Sequence, residues 1–554
     1  MIVGTWLFAT TALAQLHGGP PEQPGDAGGK PTCPASGFAP PLYGTVGVNG
    51  GGGQFAYELA SPCIPQIVRD ASEAVGMGRE FPLGVKNVTT IIWSAKGSMA
   101  NANGGMDKLD KLDVQMNYFS PAVRLAWTVG GKTTTQVYAE GKAWTEQGEG
   151  GAASPLAASQ GELLASLIRM TPFGGIWAAV EAEGTVKVTK VGGKTVLTGT
   201  SPYDDKVEVT TVLGLPGKAV GLEPKLTVDV KDLPETVSFS SGGHSYVATF
   251  SDYRLSWEPD YRVIFPAKIK WTRDGKPLAD LDVSYFHSNP YVLFPVPANS
   301  TLVATPTKKR TPFQEGFVAQ KAALGGTTPK TADGHPDFTG AWNGGFPTPY
   351  GPYELRHPGT LEPDQATVQR GIHLNKPHYK PEFWSKVRGL DYSKVDVDPS
   401  WACAPTGVPR QMAPGKIMQN TSEILFHNGD SNRFIPLDGR KLTDEDFDQS
   451  TFDGIGSAHW EGDTLVVESV GFNDVSWLMW QGYFHSNQMK VTERLWRKGD
   501  LLFYNATVND PEVLVEPWTT DTVVRRLAPA GRVGETGICE ELDLDQMYDP
   551  YNRG

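Results

Sequence analysis

Between Trp401 and Trp518 the chain alternates β-branched and aromatic residues with polar ones, in short runs broken by glycine-bearing corners. A period of two with turn residues at the breaks suits paired antiparallel strands and does not suit an amphipathic helix. The run GSAHWEGDTLVVESVGFNDVSW, followed by HSNQMKVTERLWRKGDLLFYNATVNDP, turns at Lys498-Gly499-Asp500. The same grammar fills the stretch from about Cys63 to Pro297, where strands are expected near Leu112–Phe119, Arg124–Thr128, Thr134–Ala139, Val186–Lys190, Val207–Val212, Lys225–Val230, Tyr246–Phe250, Val263–Thr272 and Leu278–Phe286. Gly130-Gly131-Lys132 and Gly192-Gly193-Lys194 read as hairpin tips, since neither has the earlier glycine of a phosphate-binding G-x-x-x-x-G-K loop. The fold class is therefore mainly β.

One segment breaks the pattern. Ala157–Met170 puts Leu163, Leu164, Leu167 and Ile168 on one helical stripe, with Ser159 and Glu162 spaced as a capping box. A single amphipathic helix beside a long antiparallel sheet is a lid or a core plug. The expected division is a signal peptide over 1–14, a Gly/Pro-rich leader without regular structure over 15–58, and a β domain over 59–297. A Pro/Thr/Lys/Gly linker over 298–331 and a β-barrel domain over 332–545 complete it.

Residues 2–14 carry no charge and end in Ala12-Leu13-Ala14, a small-residue pattern of signal cleavage. No later apolar run reaches the ~18 residues that a spanning helix needs, so no integral membrane segment is expected. Four cysteines in an exported chain predict two disulfides, Cys33 with Cys63 and Cys403 with Cys539. The location is read as secreted or periplasmic. A formal net charge of −13 opposes nucleic acid as a partner; the oligomeric state is not legible.

The candidate site lies in the second β region. In Met489–Leu495, residues 489, 491, 493 and 495 share a face, which sets Glu493 among apolar side chains. A carboxylate there must be protonated or paired. Arg410 or Arg433 could pair with it, in which case its role is structural. Glu423 and His427 share a face of the Thr421–His427 strand and, if that face points inward, form a carboxylate and imidazole pair for proton transfer. His485 joins these as a catalytic candidate. His459, Trp460, Trp477 and Trp496, with Arg410 and Arg433, are the candidate ligand contacts. No H-x-H, H-E-x-x-H or C-x-x-C occurs and Asp444–Asp448 lacks an EF-hand frame, so neither metal nor cofactor is expected.

Two resemblances extend this reading. The order of strands around one helix over roughly residues 65–297 resembles LolA-like lipoprotein carriers, which implies a curved sheet over an apolar cavity. Residues 337–527 carry Asp337–Trp342, Cys403–Arg410, Trp460–Val467, Gly471–Asp474, His485-Ser486 with Val491–Arg494, Asp510-Pro511 and Pro517-Trp518. They resemble a family of secreted bacterial proteins, a resemblance that implies no activity. Gly340-Ala341-Trp342 is also similar to the G-x-W that closes one end of a lipocalin barrel. Together these imply a hydrophobic small molecule as partner, bound or processed in a β-barrel pocket. The alternatives are a cofactor-independent lyase, cyclase or isomerase working by acid-base catalysis, and a structural protein without a pocket.

Overall fold

The computed structural model describes residues 33–39, 42–47, 54–59, 61–77, 88–101, 103–203, 206–220, 227–255, 263–304, 313–343, 375–390, 398–428, 431–479 and 482–528. The chain is mainly β, as expected. Two meanders build the first large sheet, and Thr90–Ala100 joins them by pairing with Lys276–Ser288. One meander runs from Thr90–Ala100 through Met106–Asn117, Ala122–Val129 and Lys132–Ala139 to Lys142–Glu146. The other runs from Lys276–Ser288 back through Ile264–Arg273, His244–Leu255, Thr227–Ser241, Glu208–Val220 and Lys194–Thr200 to Lys187–Val191. Gly130, Gly131, Gly192 and Gly193 have positive φ at two of the hairpin tips, a conformation open to glycine at little steric cost.

The sheet curls around helices. Ala158–Arg169 packs on the Ala122–Glu146 strands, and Pro172–Ala182 packs on the strands between Lys194 and Ser241. The second helix was not expected: Glu181, which accepts from the Ser201 hydroxyl, is its one charged side chain, so it has no polar stripe, and all eleven of its residues are buried. Thr171 caps it by accepting from the Gly174 N–H (3.0 Å), and Pro172 opens its first turn. Phe173 stacks on Phe265, while the Trp177 and Trp271 indoles donate to the Val88 and Met170 carbonyls (3.1 and 2.8 Å). The helix pair therefore plugs the hollow of the sheet. The capping box at Ser159 does not form, because the helix starts at Ala158, two residues earlier than an N-cap at Ser159 requires, and Ala157 takes the N-cap position. Among the described residues no single helix is long and apolar enough to cross a membrane.

The second sheet follows chain order around a ring. Gly340–Asn343, Lys416–Gln419, Glu423–Asn428 and Ser431–Pro436 form one run, and Ile455–Glu461, Thr464–Val470, Lys490–Lys498, Leu501–Asn509 and Val523–Leu527 form the other. The first strand pairs with the last at Trp342 and Leu527. At the remaining gap the Gly439 N–H donates to the Ala458 carbonyl (3.0 Å), which leaves an up-and-down, lipocalin-like barrel nearly closed. Trp342 seals one end: its indole donates to the Phe338 carbonyl (2.8 Å) under the Arg497 guanidinium, 5.0 Å away.

Two segments expected to lack regular structure contribute elements. Within and at the end of 15–58, Leu42–Gly47 pairs antiparallel with Gln54–Leu59. Within the expected linker, Phe313–Ala323 is a helix whose Phe317 packs on the outer barrel wall with Leu501, Phe503 and Val524. Cys33 and Cys63 are bonded. The expected signal segment lies outside the described residues, and so does Cys539 of the other expected bridge.

Candidate functional site

The period-two arithmetic in the barrel holds. Val491, Glu493 and Leu495 are buried together, and Glu493 is 1% exposed. Its carboxylate accepts two bonds from Arg433 (3.0 and 2.7 Å) and one from the Tyr504 hydroxyl (3.1 Å); Arg433 also donates to Ser469 Oγ (3.2 Å). Burial works against the Arg433 charge, but the Glu493 carboxylate outweighs it and holds the guanidinium above its ordinary pKa. Burial, then Glu493, raises the Tyr504 phenol. Of the two arginines proposed as partners, Arg433 is the one that pairs. This is a buried ion pair with its lone pairs answered, an arrangement that holds a fold rather than exchanges protons.

The other catalytic candidates do not converge on Glu493. Ile424 and Phe426 face inward, so Glu423 and His427 lie on the outer barrel face. They are four residues apart on one strand, roughly 13 Å, beyond proton-transfer reach. His427 instead sits 2.9 Å from Asn432 Oδ1. His485 is buried: its Nδ1 donates to the Ser486 carbonyl (3.0 Å), which leaves Nε2 to accept from Ser476 Oγ (3.1 Å). Burial lowers its pKa.

The ligand candidates scatter in the same way. Arg410 makes a two-pronged bond to buried Asp398 (2.9 and 2.6 Å) beside Trp477. Trp460 stacks on His335 (4.4 Å between centroids) and Phe338 at the closed end. Half-exposed His459 stands 3.5 Å from Glu461, and Trp496 stacks on Phe503 outside the barrel. These side chains do not share one space. The barrel interior is occupied by Trp342, Leu465, Val467, Leu495, Leu502, Tyr504 and Ala506, all at most 1% exposed. Among the described residues no group of three or more His, Cys, Asp or Glu could hold a metal ion.

A cavity of about 160 Å³ lies instead where the first sheet meets the barrel. It is lined by Ile92, Tyr285, His287, Asn289, Pro290, Tyr291, Lys376, Val387, Arg388 and Tyr483. Ile92 faces away from the helix-filled hollow because its neighbours Ile91 and Trp93 face into it. Tyr291 sits edge-on to Tyr379 and Tyr483, its hydroxyl donating to the Pro377 carbonyl (2.8 Å) and accepting from the Tyr379 N–H (3.1 Å). Burial raises the Tyr291 phenol well above its ordinary range. Tyr285, half exposed, marks the solvent side.

Charged networks fasten this seam. Arg388 grips Glu149 with two bonds of 2.8 Å, and Gln115 donates to the same carboxylate (3.0 Å). Burial alone would raise the Glu149 pKa, but Arg388, Gln115 and the nearby Arg124 hold it below its ordinary value. Arg124 is paired with buried Glu146 and also donates to the Leu293 carbonyl (3.0 Å). Chain proximity could not reveal the cavity, because its walls come from residues near 92, 285–291, 376–388 and 483. The signal available was Asn289-Pro290-Tyr291, an aromatic segment just beyond the last long strand of the first sheet.

No family model matches the chain, and no curated protein matches it. Among solved structures, the chain is similar to a LolA superfamily protein from Nitrosomonas europaea, 14% identical, over 42% of this chain and 94% of that one, with a TM-score of 0.24. A score that low carries no argument about fold or ligand.

Proposed function

We propose that this protein binds a small, largely apolar molecule, and that the site is the cavity at the seam rather than the barrel interior. The observation that carries the reading is the cavity itself, walled by Ile92, Pro290, Val387 and three tyrosines, and large enough for one ring-sized group. A long acyl chain exceeds that volume, so the ligand is a compact lipophile. The helices in the first sheet and the ion pair in the barrel occupy the two places where a larger lipid was expected. A secreted or periplasmic location remains part of the proposal, supported by the Cys33–Cys63 bridge.

The test is ligand-observed NMR with one-ring probes such as phenol and toluene, comparing the natural protein with Ile92→Trp. Ile92 is half-buried on the cavity wall, so a larger side chain there fills the space. Binding that disappears in the folded variant supports the reading, and binding that survives it rules out this cavity.

A further inference from the structure

We propose that the outer barrel face built by Lys416–Gln419, Glu423–Asn428 and Ser431–Pro436 is an interface between two copies of this chain. Period two turns Ile417, Ile424, Phe426, Arg433 and Ile435 into the barrel, so the alternate residues face out. Cross-strand register sets three of these, Met418, Leu425 and Phe434, side by side in one row. Phe434 is 69% exposed and Met418 48%, with half-buried Leu425 between them. Elsewhere the chain covers an apolar stretch of its own outer wall: Phe317 lies over Leu501, Phe503 and Val524. Met418 and Phe434 stay open to solvent. None of these residues lines the seam cavity, so the inference is independent of the binding reading above.

The flanks of the row say what covers it. Lys416, His427 and Asn432 align on one side, and Glu423 aligns with Pro436 on the other. A two-fold axis running along the apolar row lays Phe434 on the second copy's Phe434 and carries the second copy's Glu423 over His427, beside Lys416. The symmetry makes that contact twice. An axis along the strands instead sets Glu423 on Glu423 and His427 on His427, so electrostatic complementarity selects the first arrangement. Facing sheets pack about 10 Å apart, a gap that a glutamate and a histidine close from opposite sides. Glu423 and His427, too far apart along one strand to meet, thus become partners between copies. Between outermost Cα positions the face measures only about 10 by 14 Å, far short of the roughly 800 Å² a side of a stable dimer, so the association is weak and concentration-dependent.

The experiment is sedimentation equilibrium of the full chain from about 1 μM to about 300 μM, where a dissociation constant on the order of 10–100 μM would show. The variants are Phe434→Ser, Glu423→Lys, and Glu423→Lys combined with His427→Glu, each checked for an unchanged melting curve, since all three side chains lie on the outer face. The expected result is a monomer–dimer equilibrium that Phe434→Ser and Glu423→Lys each weaken at least tenfold and that the combined charge exchange restores to within about threefold. That rescue cannot arise within one chain, because the two positions are out of each other's reach there. A monomer at every concentration overturns the inference, as does a dimer indifferent to Phe434→Ser. A monomer that co-sediments with phosphatidylcholine vesicles only while Phe434 is present overturns it in favour of a lipid surface. A dimer weakened by Phe434→Ser but not restored by the charge exchange overturns the two-fold arrangement.

Discussion

The first sheet and the barrel solve the same problem, a curved antiparallel surface with a hollow to fill, by opposite chemistry. The sheet fills its hollow with one amphipathic and one largely apolar helix and keeps its buried Arg124–Glu146 pair on the other face, under Phe294 and Trp384. The barrel has no helix to spare and sets its pair, Arg433–Glu493, inside with Tyr504 and Ser469. A dry hollow tolerates loss or gain of volume poorly. A hollow with a charge pair tolerates loss of one partner poorly, because the survivor is left buried and unanswered.

The largest expected effect tests that distinction in the barrel. Glu493→Gln should cost about 3–5 kcal/mol in chemical denaturation, whereas Arg433→Met combined with Glu493→Leu should cost far less or nothing. If the double replacement is as damaging as the single one, the pair holds the barrel by something other than charge balance.

The sheet's counterpart is steric. A Cβ at Gly175 would lie 2.5 Å from Val237 Cγ2 and 2.6 Å from Thr211 Oγ1, so Gly175→Ala should lose about 1–3 kcal/mol. An unchanged melting temperature would mean that the helix shifts freely in the hollow, contrary to the plug described above.

Acid sensitivity sharpens the contrast further. Burial pushes the Asp521 carboxyl, beside Asn375, up to about 6. The folded state therefore holds this proton more tightly than the unfolded chain. Stability from this group is greatest below the unfolded value of about 4, and it is lost as pH rises from there to about 6. Asp521→Asn should raise stability at pH 7.5 by on the order of 2 kcal/mol and change little at pH 4. Equal effects at both values would remove Asp521 as the titrating group. The smallest effect concerns the seam: Arg388 and Glu149 are 24% and 29% exposed, so Arg388→Met should cost about 1 kcal/mol. Calorimetry reads this loss directly.

How much of this was legible follows from what each signal measures. Alternation placed the strands, the turn at Lys498-Gly499-Asp500 and the burial of Glu493, because period two is a local property of the backbone. A carboxylate so buried needs a partner, for which Arg410 and Arg433 were the candidates, and Arg433 makes the pair. The Pro172–Ala182 helix escaped because periodicity needs a polar face, although Thr171-Pro172 was a readable start. Glu423 and His427 shared a face as counted, but alternation cannot say which face points inward. The seam cavity is a property of two sheets meeting, and no local pattern encodes it.

The ring order of the barrel has a consequence for synthesis. Gly340–Asn343 finds one of its neighbours only in Val523–Leu527, so a chain leaving the ribosome presents this strand long before its partner exists. The first sheet, whose last long strand ends at Ser288, has all its pairings available before the barrel's first strand emerges. Translation therefore delivers a folded platform first and an open ring second. The interval between them is when the unpaired edge of Gly340–Asn343 is most exposed to aggregation and to chaperones.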